Sequence, residues 1–156
     1  CMAALQRSGL GEAVQEALYN KPFFGICVGA QLLFAHSEEG DTAGLGWFAG
    51  DVRRFSAHQT DAQGKRLKVP HMGWNTVRQT RAHPLFQDIA DETRFYFVHS
   101  YYFAPADAEI VLGESDYPDA FACIVGRDNV FATQFHTEKS HDAGLLLLRN
   151  FLNWQP

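Results

Sequence analysis

A glycine-flanked cysteine between an apolar run and a stretch of helix formers constrains this chain more than any other feature in it. Phe23-Phe24-Gly25-Ile26 reads as a short buried strand, stopped upstream by Asn20-Lys21-Pro22. Cys27 follows, then Val28-Gly29 and Ala30-Gln31-Leu32-Leu33-Phe34-Ala35, a helix expected to end near Glu38-Glu39-Gly40. Strand, sharp turn and helix with Gly-x-Cys-x-Gly at the turn is the pattern of a nucleophile elbow. There the nucleophile sits at strained backbone angles and its side chain projects. Gly25 and Gly29 are expected to relieve crowding on either side. The helix beginning at Val28 points free N–H groups and a positive dipole end at the sulfur, which favours thiolate. The other reading of Cys27 is a small buried hydrophobe at a glycine-rich strand end.

A cysteine nucleophile needs a base, and the base needs an acceptor on its other ring nitrogen. His136 and Glu138 close the apolar run Val130 to Phe135 at spacing i, i+2, which in extended chain puts both side chains on one face. Taken alone the pair could be an exposed ion pair at a strand end. Together with the elbow, it completes a Cys, His, Glu relay. A metal reading would need His136, Glu138 and His141, but HEXXH spacing and a second ligand cluster are both missing, so no metal is expected.

With 156 residues, 46% hydrophobic and 13% aromatic, the chain can bury one core, and residues 1–156 are read as a single domain. A net charge of −5 with 13 basic residues spread along the chain leaves no footprint for nucleic acid or an anionic membrane. Phe23 to Ala35 is too short and too interrupted to span a bilayer, and the first residues lack a leader pattern. Cys1, Cys27 and Cys123 form no CxxC pair or even framework, so a reducing cytoplasm is the expected setting.

Val14, Ala17 and Leu18 mark an amphipathic helix after Gly11, and the first residues read as the middle of another helix. Phe48 to Phe55, Lys65 to Val69 and Trp74 to Arg78 have the composition of strands in a small antiparallel section. Phe95 to Val98, Ile110 to Leu112, Phe121 to Val125 and Val130 to Phe135 are further strands, the last two joined as a hairpin by Gly126-Arg127-Asp128-Asn129. Ser56 to Arg66 reads as a surface loop. His141 to Trp154, with four consecutive leucines, reads as a helix covering a sheet. Helices on strands mean an α/β fold.

The segments Gly25 to Leu33 and Gln134-Phe135-His136-Thr137-Glu138-Lys139-Ser140 resemble the class I, triad-type glutamine amidotransferases. Pro70-His71-Met72-Gly73-Trp74-Asn75, Phe95 to Tyr102 and the Glu138-Lys139-Ser140 ending are similar to the glutaminase subunits of imidazole glycerol phosphate synthase, a histidine-biosynthetic enzyme. The resemblance runs over essentially the whole chain. It implies a flavodoxin-like sheet flanked by helices with a small antiparallel β section. It also implies that Cys27 attacks the side-chain amide of L-glutamine, that His136 moves the protons and that Glu138 orients it. The Val28 N–H would be an oxyanion donor, and Gln31, His99, Ser100 and Tyr101 would hold the substrate. No cofactor is implied. The implied partner is a (β/α)8-barrel cyclase forming a heterodimer, with Trp74, Asn75, Tyr96 and Lys139 at the interface.

Two departures from the family pattern stand out. Thr137 takes the place of the usual proline between the triad histidine and glutamate, which frees the local backbone. The family's opening strands and a glycine-bearing oxyanion loop precede the cysteine segment, and the expectation from their absence is an N-terminally truncated domain. Other readings stay open at this point: another triad amidotransferase, such as one feeding pyridoxal phosphate synthesis, a γ-glutamyl hydrolase, or a catalytically inactive regulatory subunit. An N-terminal-nucleophile enzyme acting through Cys1 is disfavoured, because helix formers follow Cys1 and not a glycine-containing strand.

Overall fold

The computed structural model describes residues 1–156. Helices α1 (Met2–Arg7) and α2 (Gly11–Asn20) lead into strand β1 (Phe23–Ile26) and the single-turn helix α3 (Val28–Gln31). Strands β2 (Phe34–Ser37), β3 (Thr42–Ala43), β4 (Phe48–Arg54), β5 (His71–Gln79), β6 (Thr93–His99), β7 (Tyr101–Pro105), β8 (Val111–Asp116), β9 (Ala120–Arg127) and β10 (Val130–Thr133) follow, and helix α4 (His141–Leu152) closes the chain. The ten strands form one mixed sheet in the order β3-β2-β4-β7-β9-β8-β5-β6, with β10 attached to β9 and β1 attached to β10.

Alternation along the central strands divides the interior into two layers, because successive side chains in a strand point to opposite faces. Val130 and Ala132 of β10 pack with Leu18 of α2, Ala30 of α3, Leu33 and Phe34. Phe131 and the following Phe135 pack on the other side with Leu147 of α4, Phe95, Phe97 and Trp154. All four residues of β10 are buried, as a strand covered on both faces requires. The β9–β10 turn falls at Asp128-Asn129, with Arg127 paired to Val130. Asn129 uses its side-chain amide to cap the Leu18 and Lys21 carbonyls at the end of α2.

Four local expectations are corrected. The helix after Cys27 ends at Gln31, and Phe34–Ser37 is a strand paired in parallel with β4. Phe34 is fully buried between the rings of Phe48 and Phe103, at 5.7 and 5.2 Å, so sheet packing overrides the helical propensity of the segment. Lys65 to Val69 forms no strand; only an isolated bridge joins Arg66 to Thr60. Tyr101–Pro105, not anticipated as a strand, pairs with both β4 and β9. The leucine run does not bury as a block: Leu147 is fully buried while Leu145 is 62% exposed. Consecutive helical residues point about 100° apart, so only part of such a run can face the sheet. No helix is long and apolar enough to cross a membrane.

Candidate active site

Cys27 sits between β1 and α3 at φ 50°, ψ −113°, a backbone conformation that non-glycine residues rarely adopt. Its N–H extends the parallel β1–β10 ladder by one bond, to the Thr133 carbonyl at 2.8 Å. Strand to helix therefore reverses directly over the end of β10. Gly25 permits this fold-back: a Cβ there would lie 3.0 Å from Ala30 Cα, 3.2 Å from Ala30 N and 3.3 Å from Ala132 Cβ. Gly29 has no such role, since a Cβ there would meet nothing within 4 Å. The expectation that both glycines relieve crowding thus holds for Gly25 only.

The half-buried thiol is pushed above its ordinary value, chiefly by burial, with the nearby Glu138 charge adding to the effect. The Val28 N–H, Lys139 and the Gln134 amide pull it back down without cancelling burial. The N–H at the start of α3 thus acts in the expected direction, and desolvation outweighs it.

His136 and Glu138 stand three and five residues beyond Thr133, which pairs with Ile26, so they lie past the end of the strand next to the elbow. The pair forms, with His136 Nδ1 2.6 Å from Glu138 Oε1. Its geometry differs from the expected extended spacing, because Thr137–Lys139 is a 3-10 turn that folds the carboxylate back onto the ring. An ionised carboxylate only accepts, so Nδ1 carries the proton and Nε2 is left as the basic nitrogen. No hydrogen bond joins Cys27 to His136; the polar neighbour of the sulfur is Gln134 Nε2 at 3.9 Å. Thr137 is buried, with its hydroxyl 3.2 Å from that of Thr133. The turn is further fixed from two sides. His136 donates its N–H to the Tyr96 carbonyl, and Ser140 Oγ bridges the His136 carbonyl and the Tyr96 N–H. Gly144 lets α4 rest on the Thr137 carbonyl, which a Cβ would strike.

Beside the elbow lies a cleft of about 330 Å3 lined by Val28, Gln31, Leu32, Ser37, Glu39 and Gly44 among others. Gln31 is buried and donates to the Tyr101 carbonyl at 3.2 Å and to Gln134 Oε1 at 3.1 Å. Ser100 and Tyr101 are half-buried at the β6–β7 junction. His99 departs from expectation. It is 6% exposed, and both ring nitrogens are engaged, Nδ1 with the Tyr101 carbonyl and Nε2 with His71, so it offers no free nitrogen to a substrate.

Trp74 and Tyr96 are cross-strand partners with ring centroids 6.0 Å apart, and the exposed Met72 pairs with Val98 on the same face. Asn75 departs from the interface expectation, since it is half-buried, bonded to the Asp116 carbonyl and on the face of β5 opposite to Trp74, while Lys139 is exposed at the end of the Thr137–Lys139 turn. His141 lies with its ring 5.1 Å from Trp74, and no group of three or more His, Cys, Asp or Glu side chains is clustered to hold a metal.

Sequence reasoning missed Gln134, Glu39 and His71. Gln134, two residues before His136 on the same run, was within reach of a pattern argument. Glu39 was hidden by its assignment to a helix end, and His71 by the distance that separates it from its partners.

Comparison with known proteins gives a consistent picture. The model of the family described as glutamine amidotransferase class-I matches residues 5–154. The imidazole glycerol phosphate synthase subunit HisH of Neisseria meningitidis serogroup B is 77% identical over 154 residues, covering 99% of this chain and 73% of that protein. Its counterpart from Chromobacterium violaceum is 71% identical, with 99% and 72% covered. A crystal structure of a glutamine amidotransferase superposes with a TM-score of 0.65 at 20% identity, over 96% of this chain and 69% of the other, a likeness of fold. The elbow, the histidine–glutamate turn and these matches together place the chain in the class-I glutamine amidotransferases, in the family of imidazole glycerol phosphate synthase subunit HisH.

Proposed function

We propose that Cys27, His136 and Glu138 are the catalytic triad by which this chain, a glutamine amidotransferase of imidazole glycerol phosphate synthase, hydrolyses L-glutamine to glutamate and ammonia. The observation that carries the assignment is the strained Cys27 at the elbow, one strand away from a histidine whose Nδ1 is held by a carboxylate. Glutamine enters the cleft beside Val28 and Gln31, and its side-chain amide carbon meets Sγ. His136 Nε2 accepts the thiol proton as the sulfur attacks. Hydrogen bonds of this kind are often long until substrate is in place, then tighten.

The Val28 N–H stabilises the oxyanion of the tetrahedral intermediate. His136 then gives its proton to the leaving nitrogen, and ammonia departs from a γ-glutamyl thioester. Water, activated by the same nitrogen, attacks the thioester carbonyl and frees glutamate and the thiol. Glu138 holds the ring in the tautomer that makes Nε2 the base and stabilises the imidazolium. Gln31, Ser100 and Tyr101 position the α-amino acid end, and Glu39 supplies a negative charge for the substrate ammonium. His99 acts behind them, on the Tyr101 carbonyl.

Ammonia in neutral water is largely protonated and no longer nucleophilic, so direct transfer to a second site is an advantage. The partner proposed is a (β/α)8-barrel cyclase that uses it to make imidazole glycerol phosphate and an aminoimidazole carboxamide ribotide. Its docking face comprises Trp74, Tyr96 and Lys139, with the exposed Met72 beside Trp74 and Asn75 supporting the strand from its inner side. Tyr96 also bonds the His136 main chain, so docking on this face reaches the triad turn directly. The test is glutamate release by the full-length subunit with its cyclase. Cys27→Ala should abolish release and leave ammonia-dependent synthesis intact; undiminished glutamine turnover in that variant would refute the triad.

A further inference from the structure

His71 and His99 face each other across the β5–β6 pair, and their rings are joined by a hydrogen bond. Every proton along this path can be assigned. The Tyr101 carbonyl only accepts, so His99 Nδ1 donates to it at 2.7 Å. In a neutral ring His99 Nε2 is then an acceptor, and His71 Nδ1 donates to it at 2.9 Å. His71 Nε2 is left as an acceptor 3.3 Å from Asn75 Nδ2. The Asn75 amide cannot be turned round, because its oxygen accepts from the Thr76 N–H and its nitrogen donates to the Asp116 carbonyl. Burial keeps both rings neutral, holding His71 at about 4 and His99 at about 3.

At the far end the Tyr101 carbonyl also accepts from Gln31 Nε2, whose second hydrogen goes to Gln134 Oε1, and the Gln134 amide faces Cys27 Sγ. Both lone pairs of that carbonyl are therefore used, one by the histidine pair and one by Gln31. We propose that His71 and His99 are positioning residues, a directed hydrogen-bond relay that links Asn75, on the inner face of β5 behind Trp74, to Gln31 and Gln134 beside the nucleophile. The relay rests on the glutaminase reading above. It gives a physical path by which a change at Asn75 shifts the groups around the thiol: releasing the Asn75 donor leaves His71 Nε2 unmet in the interior, and each ring can relax only by moving the next.

The test uses the full-length subunit in complex with its cyclase. In the wild type, nitrogen-15 NMR of labelled histidine should find both imidazoles neutral and protonated at Nδ1 from pH 8 to about 5.5. Either ring protonated at Nε2 alone, or titrating near 6.5, overturns the relay. His71→Phe keeps the ring contacts with Phe97 and Tyr117 but removes the donor. It should change kcat/KM for glutamine by at least about tenfold, with ammonia-dependent synthesis within twofold of wild type. His71→Asn, which restores a donor near Nδ1, should recover part of that loss. Combined with Gln31→Ala, His71→Phe should be non-additive. Additive effects, or unchanged glutamine kinetics in folded His71→Phe, overturn the proposal. If that variant does not fold, His71→Leu takes its place under the same two outcomes. Cys27→Ala run alongside separates failure of the relay from failure of the triad.

Discussion

Gly25→Ala tests whether the fold-back of α3 onto β1 depends on the absence of one methyl group. The new Cβ would press on Ala30 Cα at 3.0 Å and Ala30 N at 3.2 Å, both main chain, and on Ala132 Cβ at 3.3 Å. None of these is the end of a flexible side chain, so the strand and helix must separate by several tenths of an ångström. Ala30 and Ala132 are fully buried, and the strain propagates into a packed layer. Overpacking of this kind costs about 1–3 kcal/mol, which for a chain of this size lowers the melting temperature by roughly 2–12 °C. The same shift moves the Val28 N–H relative to Cys27, so glutamine turnover should fall further than stability alone explains. Thermal and urea unfolding of the full-length subunit, with glutaminase assays at a temperature where the variant is folded, separate the two effects. A variant as stable as wild type with undiminished kcat would show that β1 and α3 do not need this contact.

Glu138→Gln keeps a hydrogen-bonding side chain at the end of the 2.6 Å contact but removes the charge and allows the wrong tautomer. Its kcat for glutamine hydrolysis should fall on the order of 10³–10⁴-fold, and an unchanged rate would remove Glu138 from the triad. His71 and His99 make stability depend on acid. Their folded values of about 4 and about 3 lie below the unfolded value near 6.5. The unfolded chain therefore takes up protons that the folded chain refuses, and stability is lost as pH falls below about 6.5. The slope from each ring is at most about 1.4 kcal/mol per pH unit, continuing until its folded value is reached. Urea midpoints at pH 7, 6 and 5 check this, and His99→Gln should flatten the profile; a wild-type midpoint independent of pH over that range would contradict it.

The chemistry was legible where it is local. Gly25, Cys27 and the apolar run before them specify a strand that must turn sharply, and Cys27 stands at positive φ there. The β9–β10 turn and α2 were readable for the same reason, since Asp128-Asn129 and the Val14, Ala17, Leu18 spacing act over a few residues. The Phe34–Ser37 strand was not, because Gln31 to Ala35 favour helix and only burial of Phe34 against Phe48 and Phe103 decides otherwise. Lys65 to Val69 failed in the opposite direction, having strand composition and no neighbouring strand to pair with.

His136-x-Glu138 could be named from the order of residues, yet the 3-10 turn that closes the pair, and its bonds to Tyr96 and Ser140, belong to packing between β6 and α4. The amino-acid order by itself determined which side chains can react: a thiol, an imidazole and a carboxylate, each beside residues that shape its backbone. Only the tertiary structure decided how acidic that thiol is, which nitrogen of each buried histidine carries its proton, and that His99 faces His71. Those properties depend on desolvation and on hydrogen-bond partners tens of residues away, which no local pattern encodes.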